Sequence, residues 1–236
     1  MSKYDDYEAL AATAHLGGQE GYRAYRELGG ERSFDGWEVR RRRIGVEHTT
    51  PRQVVQSNGQ EYVGLSMGFF DIETTFSTQP LMLYGAIADV FGNVRQFRKG
   101  DDITDDRALV NEYARALEEY DILVSWNGKL FDVPVIGGRL AYHGDPQLMP
   151  QMHIDLMYYA TGQFARIGRK SLQSVSEYFE VANKKTPLRV RQWDAAMAGK
   201  PEAYASIVEH CDADVLVLRD VFPKVKRFIR TIHRAG

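Results

Sequence analysis

The chain holds a single cysteine, Cys211, in 236 residues. No intramolecular disulfide and no multi-cysteine zinc site can therefore be built, and a reducing, cytoplasm-like compartment is the expectation. Long apolar runs are missing too: nothing approaches the roughly 20 consecutive apolar residues that span a bilayer. The opening MSKYDDYEAL lacks a basic start followed by an apolar core, so it does not read as a secretory signal. Repeats and low-complexity tracts are absent. Net charge is small as well, since 30 Lys and Arg against 32 Asp and Glu give −2. That excludes a globally basic surface but not a local one.

The charge is unevenly placed. Residues 99–121 carry Asp101, Asp102, Asp105, Asp106, Glu112, Glu118, Glu119 and Asp121, whereas Lys224, Lys226, Arg227, Arg230 and Arg234 follow one another with no acid between them. A near-neutral chain of this kind can still present a basic stripe to phosphates. Polar residues 46–62, with Pro51 and an Asn58-Gly59 turn signal, read as a linker between a helical extension (1–45) and a larger domain (63–236). In the extension, Asp5–Leu16, Gln19–Leu28 and Ser33–Arg43 carry helical patterns separated by glycines.

Beyond the linker the texture changes. Val63–Ile72 reads as a buried strand ending in carboxylates, and Leu81–Val90 with Val94–Arg98 as a hairpin about Phe91-Gly92-Asn93. Asp105–Tyr120 has helical periodicity, Ile122–Ser125 is a short buried strand, and a helix is expected from about Phe131 to His143. Leu156–Ala160, Ser171–Phe179 and Ala203–Phe222 complete a helical second half. Strands first, helices later and alternation between them point to an α/β fold, a mixed sheet with helices packed on it.

Three segments place acids where an apolar surface or a strand end is expected. In Gly68-Phe69-Phe70-Asp71-Ile72-Glu73-Thr74, strand alternation projects Asp71 and Glu73 to one face and Phe70 and Ile72 to the other. Two neighbouring carboxylates repel unless a cation lies between them, and hard cations such as Mg²⁺ or Mn²⁺ prefer oxygen ligands. In Ser125-Trp126-Asn127-Gly128-Lys129-Leu130-Phe131-Asp132, a strand turns into a helix with Asp132 in its first turn. In His210-Cys211-Asp212-Ala213-Asp214, His210 and Asp214 are four apart and share a helix face. Each segment alone has an ordinary reading: D-x-E recurs by chance, Asp132 answers a helix dipole, and His210 is a half-buried helical histidine.

Together and in this order they resemble the motifs of the DEDD (DnaQ-like) 3′→5′ exonuclease superfamily: D-x-E, then N-x(2–3)-(F/Y)-D, then Y-x3-D or H-x4-D. The resemblance runs from about Val63 onward, is greatest to phage and bacterial 3′→5′ exonucleases, and is reinforced by Trp193-Asp194. It implies an RNase H-like mixed β-sheet flanked by helices, here with a small N-terminal helical extension. It also implies that Asp71, Glu73, Asp132 and Asp214 hold two Mg²⁺ or Mn²⁺ ions for hydrolysis at the 3′ ends of single-stranded nucleic acid, with DNA the expected substrate. The expected location is cytoplasmic, the host cytoplasm for a phage-encoded chain. The last motif departs from the pattern: it has tyrosine-type spacing with a histidine, because the position five after His210 is Val215. His210 is therefore aligned with the family's tyrosine as a catalytic residue, and Asp212 is a spare acid beside it.

Thr74, Asn127, Phe131, Lys184 and Lys185 are the expected substrate contacts, by hydrogen bonds, stacking and phosphate attraction. Asp155, at a strand-to-helix junction, reads as a helix N-cap ahead of a supporting role near the metals. The first 45 residues resemble a helix-turn-helix module in which Arg40, Arg41, Arg42 and Arg43 would bind DNA. Four arginines ending a helix also complement its dipole, and the extension reads equally as a helical cap. Two other functions fit the same fold: an RNase H-like or resolvase-type endonuclease, and an inactive nucleic-acid-binding module. The Asn-Gly-x-x-Phe-Asp segment weighs against the first and the four retained acids against the second.

Overall fold

The computed structural model describes residues 3–13, 16, 18–34, 37, 54–57, 60–63, 65–100, 102, 104–148, 151–162, 165–184, 186, 188, 190–229 and 233–235. Two helices come first, α1 (Lys3–Ala12) and α2 (Gly18–Glu27), then a hairpin of β1 (Val54–Ser57) and β2 (Gln60–Val63). The central elements are β3 (Met67–Thr74), β4 (Met82–Ala88), β5 (Val94–Arg98), α3 (Arg107–Glu118), β6 (Ile122–Ser125) and α4 (Asp132–His143). There follow β7 (Gln151–Asp155), α5 (Leu156–Thr161), α6 (Leu172–Tyr178), α7 (Val190–Met197), α8 (Pro201–Val225), a 3₁₀ turn (Lys226–Phe228) and β8 (His233–Ala235).

Six strands form one mixed sheet in the order β5-β4-β3-β6-β7-β8. β3, β6 and β7 run parallel, so their carboxyl ends share one edge, while β4, β5 and β8 pair antiparallel. The fully buried run Ile122–Ser125 suits a strand covered on both faces. Alternation along β3 sorts its side chains. Met67 and Phe69 join the layer that contains the buried face of α8, whereas Phe70 and Ile72 join the layer of α3 and α4. Each such fully buried side chain contributes roughly 1.5–3 kcal/mol of hydrophobic stabilisation. Asp121 fixes the parallel register at its start, accepting bonds of 2.8 Å from both the backbone N–H and the hydroxyl of Ser66.

The strands and helices expected for residues 67–143 form, with bounds shifted by a few residues. The sequence reading passes over β1 and β2, which together form a hairpin beginning inside the segment read as a linker, and over α7 and β8, and of β7 it gives only the junction at Asp155. The rest of β7 (QMHID) lacks an apolar pattern because its polar His153 is buried, with Nε2 2.7 Å from the Ser125 hydroxyl. In the extension, Tyr25, Trp37, Ala9 and Leu10 form a small core of their own. Arg40, Arg41, Arg42 and Arg43 lie outside the described residues, as does most of the third expected helix.

The acid-rich stretch contains a structural ion cluster. Asp106, just before α3, accepts from Arg139 of α4 at 2.6 Å and 2.8 Å and from the Met82 N–H of β4 at 2.8 Å, with His143 Nε2 also 2.8 Å away. Burial alone would raise this carboxyl, but the hydrogen bonds and the guanidinium charge outweigh it and hold it below its ordinary value. The carboxylate therefore adds stability above its unfolded pKa of about 3.9, and that contribution is lost as pH falls through the lower folded value. Asp106→Asn strands a buried guanidinium and should cost about 3 kcal/mol at neutral pH. Urea melts from neutral to acid pH read both effects: the variant should lose this part of the acid slope, and unchanged neutral stability would show the cluster to be dispensable.

Candidate active site

The carboxyl edge of β3 faces α8. Asp71 and Glu73 follow Phe69 in the alternation, on the side where Cys211, Val215 and Leu218 pack. Cys211 Sγ lies 3.5 Å from the Asp71 carbonyl oxygen and 3.6 Å from Asp71 Oδ2. Donor atoms of Asp71, Glu73 and Cys211 all fall within 4.8 Å of one another. Asp214 is buried on α8, three residues beyond Cys211 and hence on a neighbouring part of the same face. From the other side of the sheet, Asp132 Oδ1 accepts the Ile72 N–H at 3.1 Å, which draws the first turn of α4 against β3. Each of the four expected acids thus lies on β3 or on an element in direct contact with it.

The electrostatics follow from burial. Asp132 is pushed up to about 7, first by desolvation, against the lowering effect of the Ile72 N–H and its own N–H, with the Asp155 charge adding to the rise. The Cys211 thiol is pushed up by desolvation and then by Asp71, Glu73, Asp214 and Asp212. Two carboxylates about 4 Å apart repel by about 4 kcal/mol at an effective dielectric of about 20. A hard divalent cation fits this oxygen-rich donor set. A second group of possible ligands, Asp105, Asp106 and His143, is the structural cluster already engaged by Arg139.

The turn between β6 and α4 is built for close approach. Asn127 sits at φ 67°, a left-handed conformation that asparagine tolerates better than most residues. A β-carbon at Gly128 would stand 2.5 Å from Ser125 Oγ, so the turn closes over Ser125 only with glycine there. Asp155 accepts from the N–H groups of Asn127 at 2.9 Å, Lys129 at 3.2 Å and Met157 at 3.2 Å. It caps α5, as expected, and in the same bonds ties the turn to the end of β7.

His210 is oriented by α8 and by the segment before α7. Its Nδ1 lies 2.5 Å from the Thr186 carbonyl oxygen, which can only accept, so the ring proton belongs on Nδ1. Nε2 lies 3.8 Å from Asp214 Oδ2. Asp212 turns away to the sheet, where it accepts from Tyr84 at 2.6 Å and Gln96 at 2.5 Å.

Of the expected substrate contacts, Phe131 is 43% exposed beside Asp132, Asn127 is partly exposed, Thr74 is buried at the end of β3 and Lys184 is exposed. Lys185 lies outside the described residues. Sequence reasoning missed Cys211, which it treated as a redox marker; its position three before Asp214 on a helix was the available signal. Asp155→Ala removes one acceptor from three backbone donors and should cost about 1–3 kcal/mol. Amide exchange at Asn127 and Lys129 should then quicken while β3 amides keep their protection. Unchanged exchange at both would mean that the turn stands without the carboxylate.

Comparison with known proteins agrees with this architecture. A family model of the RNase_H superfamily matches residues 68–225. The family B DNA polymerase of the hyperthermophilic archaeon Pyrobaculum calidifontis is a structural neighbour with a TM-score of 0.52 at 18% identity. The match covers 86% of this chain and 34% of the polymerase, so this chain spans about a third of that protein's length. At that identity the likeness concerns the fold. No curated protein matches the chain. With the model covering 68–225, from the second residue of β3 through the Asn127 turn to the end of α8, the chain belongs to the RNase_H superfamily and has its α/β fold.

Proposed function

We propose that the protein is a metal-dependent nuclease acting as a 3′→5′ exonuclease on single-stranded nucleic acid, DNA in the first instance. One observation carries the reading: donor atoms of Asp71, Glu73 and Cys211 lie within 4.8 Å of one another, with Asp132 bonded to the strand between the two acids. Family membership supports hydrolysis of phosphodiesters, and the superposition on a family B DNA polymerase is consistent with it.

In this reading Asp71, Glu73, Asp132 and Asp214 hold Mg²⁺ or Mn²⁺, two ions per site. Bound cations would neutralise charge on the phosphodiester and lower the pKa of a water molecule. The remaining work belongs to the chain. His210, with its proton fixed on Nδ1 by the Thr186 carbonyl, offers Nε2 to the attacking water as orienter or base. Phe131 offers an exposed ring for a base to stack on, and Asn127 offers its amide to the terminal nucleotide.

Digestion of 5′-labelled single-stranded DNA tests the reading. With Mg²⁺ or Mn²⁺ the parent chain should give a ladder shortening from the 3′ end, abolished by chelation. Asp71→Asn should lower the rate by about 10³-fold or more. His210→Gln should lower it by about 10²- to 10⁴-fold and change its pH profile. Internal fragments from the parent chain would turn the reading to an endonuclease of the same fold, and equal rates for parent and Asp71→Asn would remove the site assignment.

A further inference from the structure

Leu130 stands 75% exposed on the turn leading to Asp132, and two clefts meet at it. One, of about 410 Å³, has Phe131, Pro134 and Tyr142 in its wall. The other, of about 380 Å³, lies past Leu130 and is lined by Lys129, Asp155, Tyr158 and Lys170. That size falls within the roughly 300–1,000 Å³ of small-ligand sites. The second cleft opens at the carboxyl ends of β6 and β7, beside the β3 edge that carries Asp71 and Glu73. Crevices at the carboxyl ends of parallel strands are where ligands of open α/β sheets bind.

The lining suits a nucleotide. Lys129 and Lys170 are both exposed and can meet a phosphate, while Tyr158 is 46% exposed. The Tyr158 ring rests edge-on against the buried Tyr159 ring at 5.3 Å, which holds it in place. The acid in the lining, Asp155, has its oxygens on three backbone N–H groups beside the Lys129 ammonium, while burial, the larger effect, raises its carboxyl above the ordinary value and so disfavours the anion facing a phosphate. Two ammonium groups, a held aromatic face and an apolar ridge are the combination with which proteins grip single strands: phosphate attraction for the backbone and stacking for the bases. A duplex keeps its base faces stacked inside and would leave Tyr158 nothing to cover.

We propose that this cleft binds one nucleotide unit of a single strand next to the unit at the acids. Lys129 and Lys170 hold its phosphate, the Tyr158 ring carries its base, and Leu130 separates the two units. The inference rests on the nuclease reading for the identity of the neighbouring unit. The test uses the full chain, freed of metal with EDTA, and fluorescein-labelled single-stranded hexathymidylate followed by anisotropy between about 50 and 200 mM salt. Lys170→Ala should weaken binding and reduce the log–log salt slope by about 0.7, the value for one single-strand phosphate contact. Tyr158→Ala should weaken binding about fivefold or more at unchanged slope, and Tyr158→Phe should restore it. Arg115→Ala, an exposed change on the last turn of α3, should bind as the parent does. Parent-like affinity and slope in both Lys170→Ala and Tyr158→Ala would overturn the proposal, as would failure of the parent chain to bind the oligonucleotide. Hydrolysis of bis(p-nitrophenyl) phosphate with Mn²⁺, a diester without bases, separates the two readings. No hydrolysis by the parent with binding lost in the variants defeats the nuclease reading and keeps the cleft; hydrolysis with unaltered variant binding defeats the cleft alone.

Discussion

Mutual repulsion among the acids at the end of β3 is the constraint that the surrounding structure answers. Asp71 and Glu73 point to the same side because a strand alternates, and Asp132 is drawn against the same strand by the Ile72 N–H. Burial makes the charged forms of Asp132 and Cys211 costly, which is why Asp132 rises to about 7 and the Cys211 thiol is driven toward its neutral form. The protein's other buried acid centre resolves the same problem internally, since Asp106 receives Arg139 directly. At the β3 edge the chain supplies a histidine and a thiol, and a divalent cation is the compensation its donor set fits.

The sheet supplies the geometry. β3, β6 and β7 are parallel, so the D-x-E strand end, the Asn127 turn and the Asp155 cap emerge along one edge. Asp155 joins two of these features through three N–H bonds, so the turn that presents Leu130 and Phe131 is anchored to the neighbouring strand. The exposed Leu130 of this turn lines both the cleft that holds Phe131 and the cleft of Lys129, Tyr158 and Lys170. A chain of near-zero net charge can attract a polyanion there because the lysines are placed locally.

Much of this was legible in the sequence because its signals are local. Period-two alternation put Asp71 and Glu73 on one face, and a four-residue helical spacing put His210 beside Asp214. A strand-to-helix junction identified Asp155 as a cap. What the sequence did not display depends on contacts between distant segments. Cys211 enters the acid group only through the packing of α8 on β3. Asp212, equivalent to Asp214 by composition, is removed from the site by Tyr84 and Gln96 across 128 and 116 residues of chain. The proton on His210 Nδ1 follows from a carbonyl 24 residues earlier. Only the end of β7 at Asp155 was legible, because a buried histidine bonded to Ser125 breaks its apolar pattern.

Binding of Mn²⁺, followed by the loss of its free-ion EPR signal, tests the central claim without reference to any substrate. The account predicts that the parent chain takes up Mn²⁺. Asp71→Asn and Asp132→Asn should each weaken uptake by at least about tenfold, the lower end of what losing even an outer partner of a metal site costs. Asp212→Asn, two residues from Asp214 but turned toward the sheet, should leave uptake unchanged. A parent chain that leaves Mn²⁺ free, or an Asp212→Asn loss as large as that of Asp71→Asn, would contradict it.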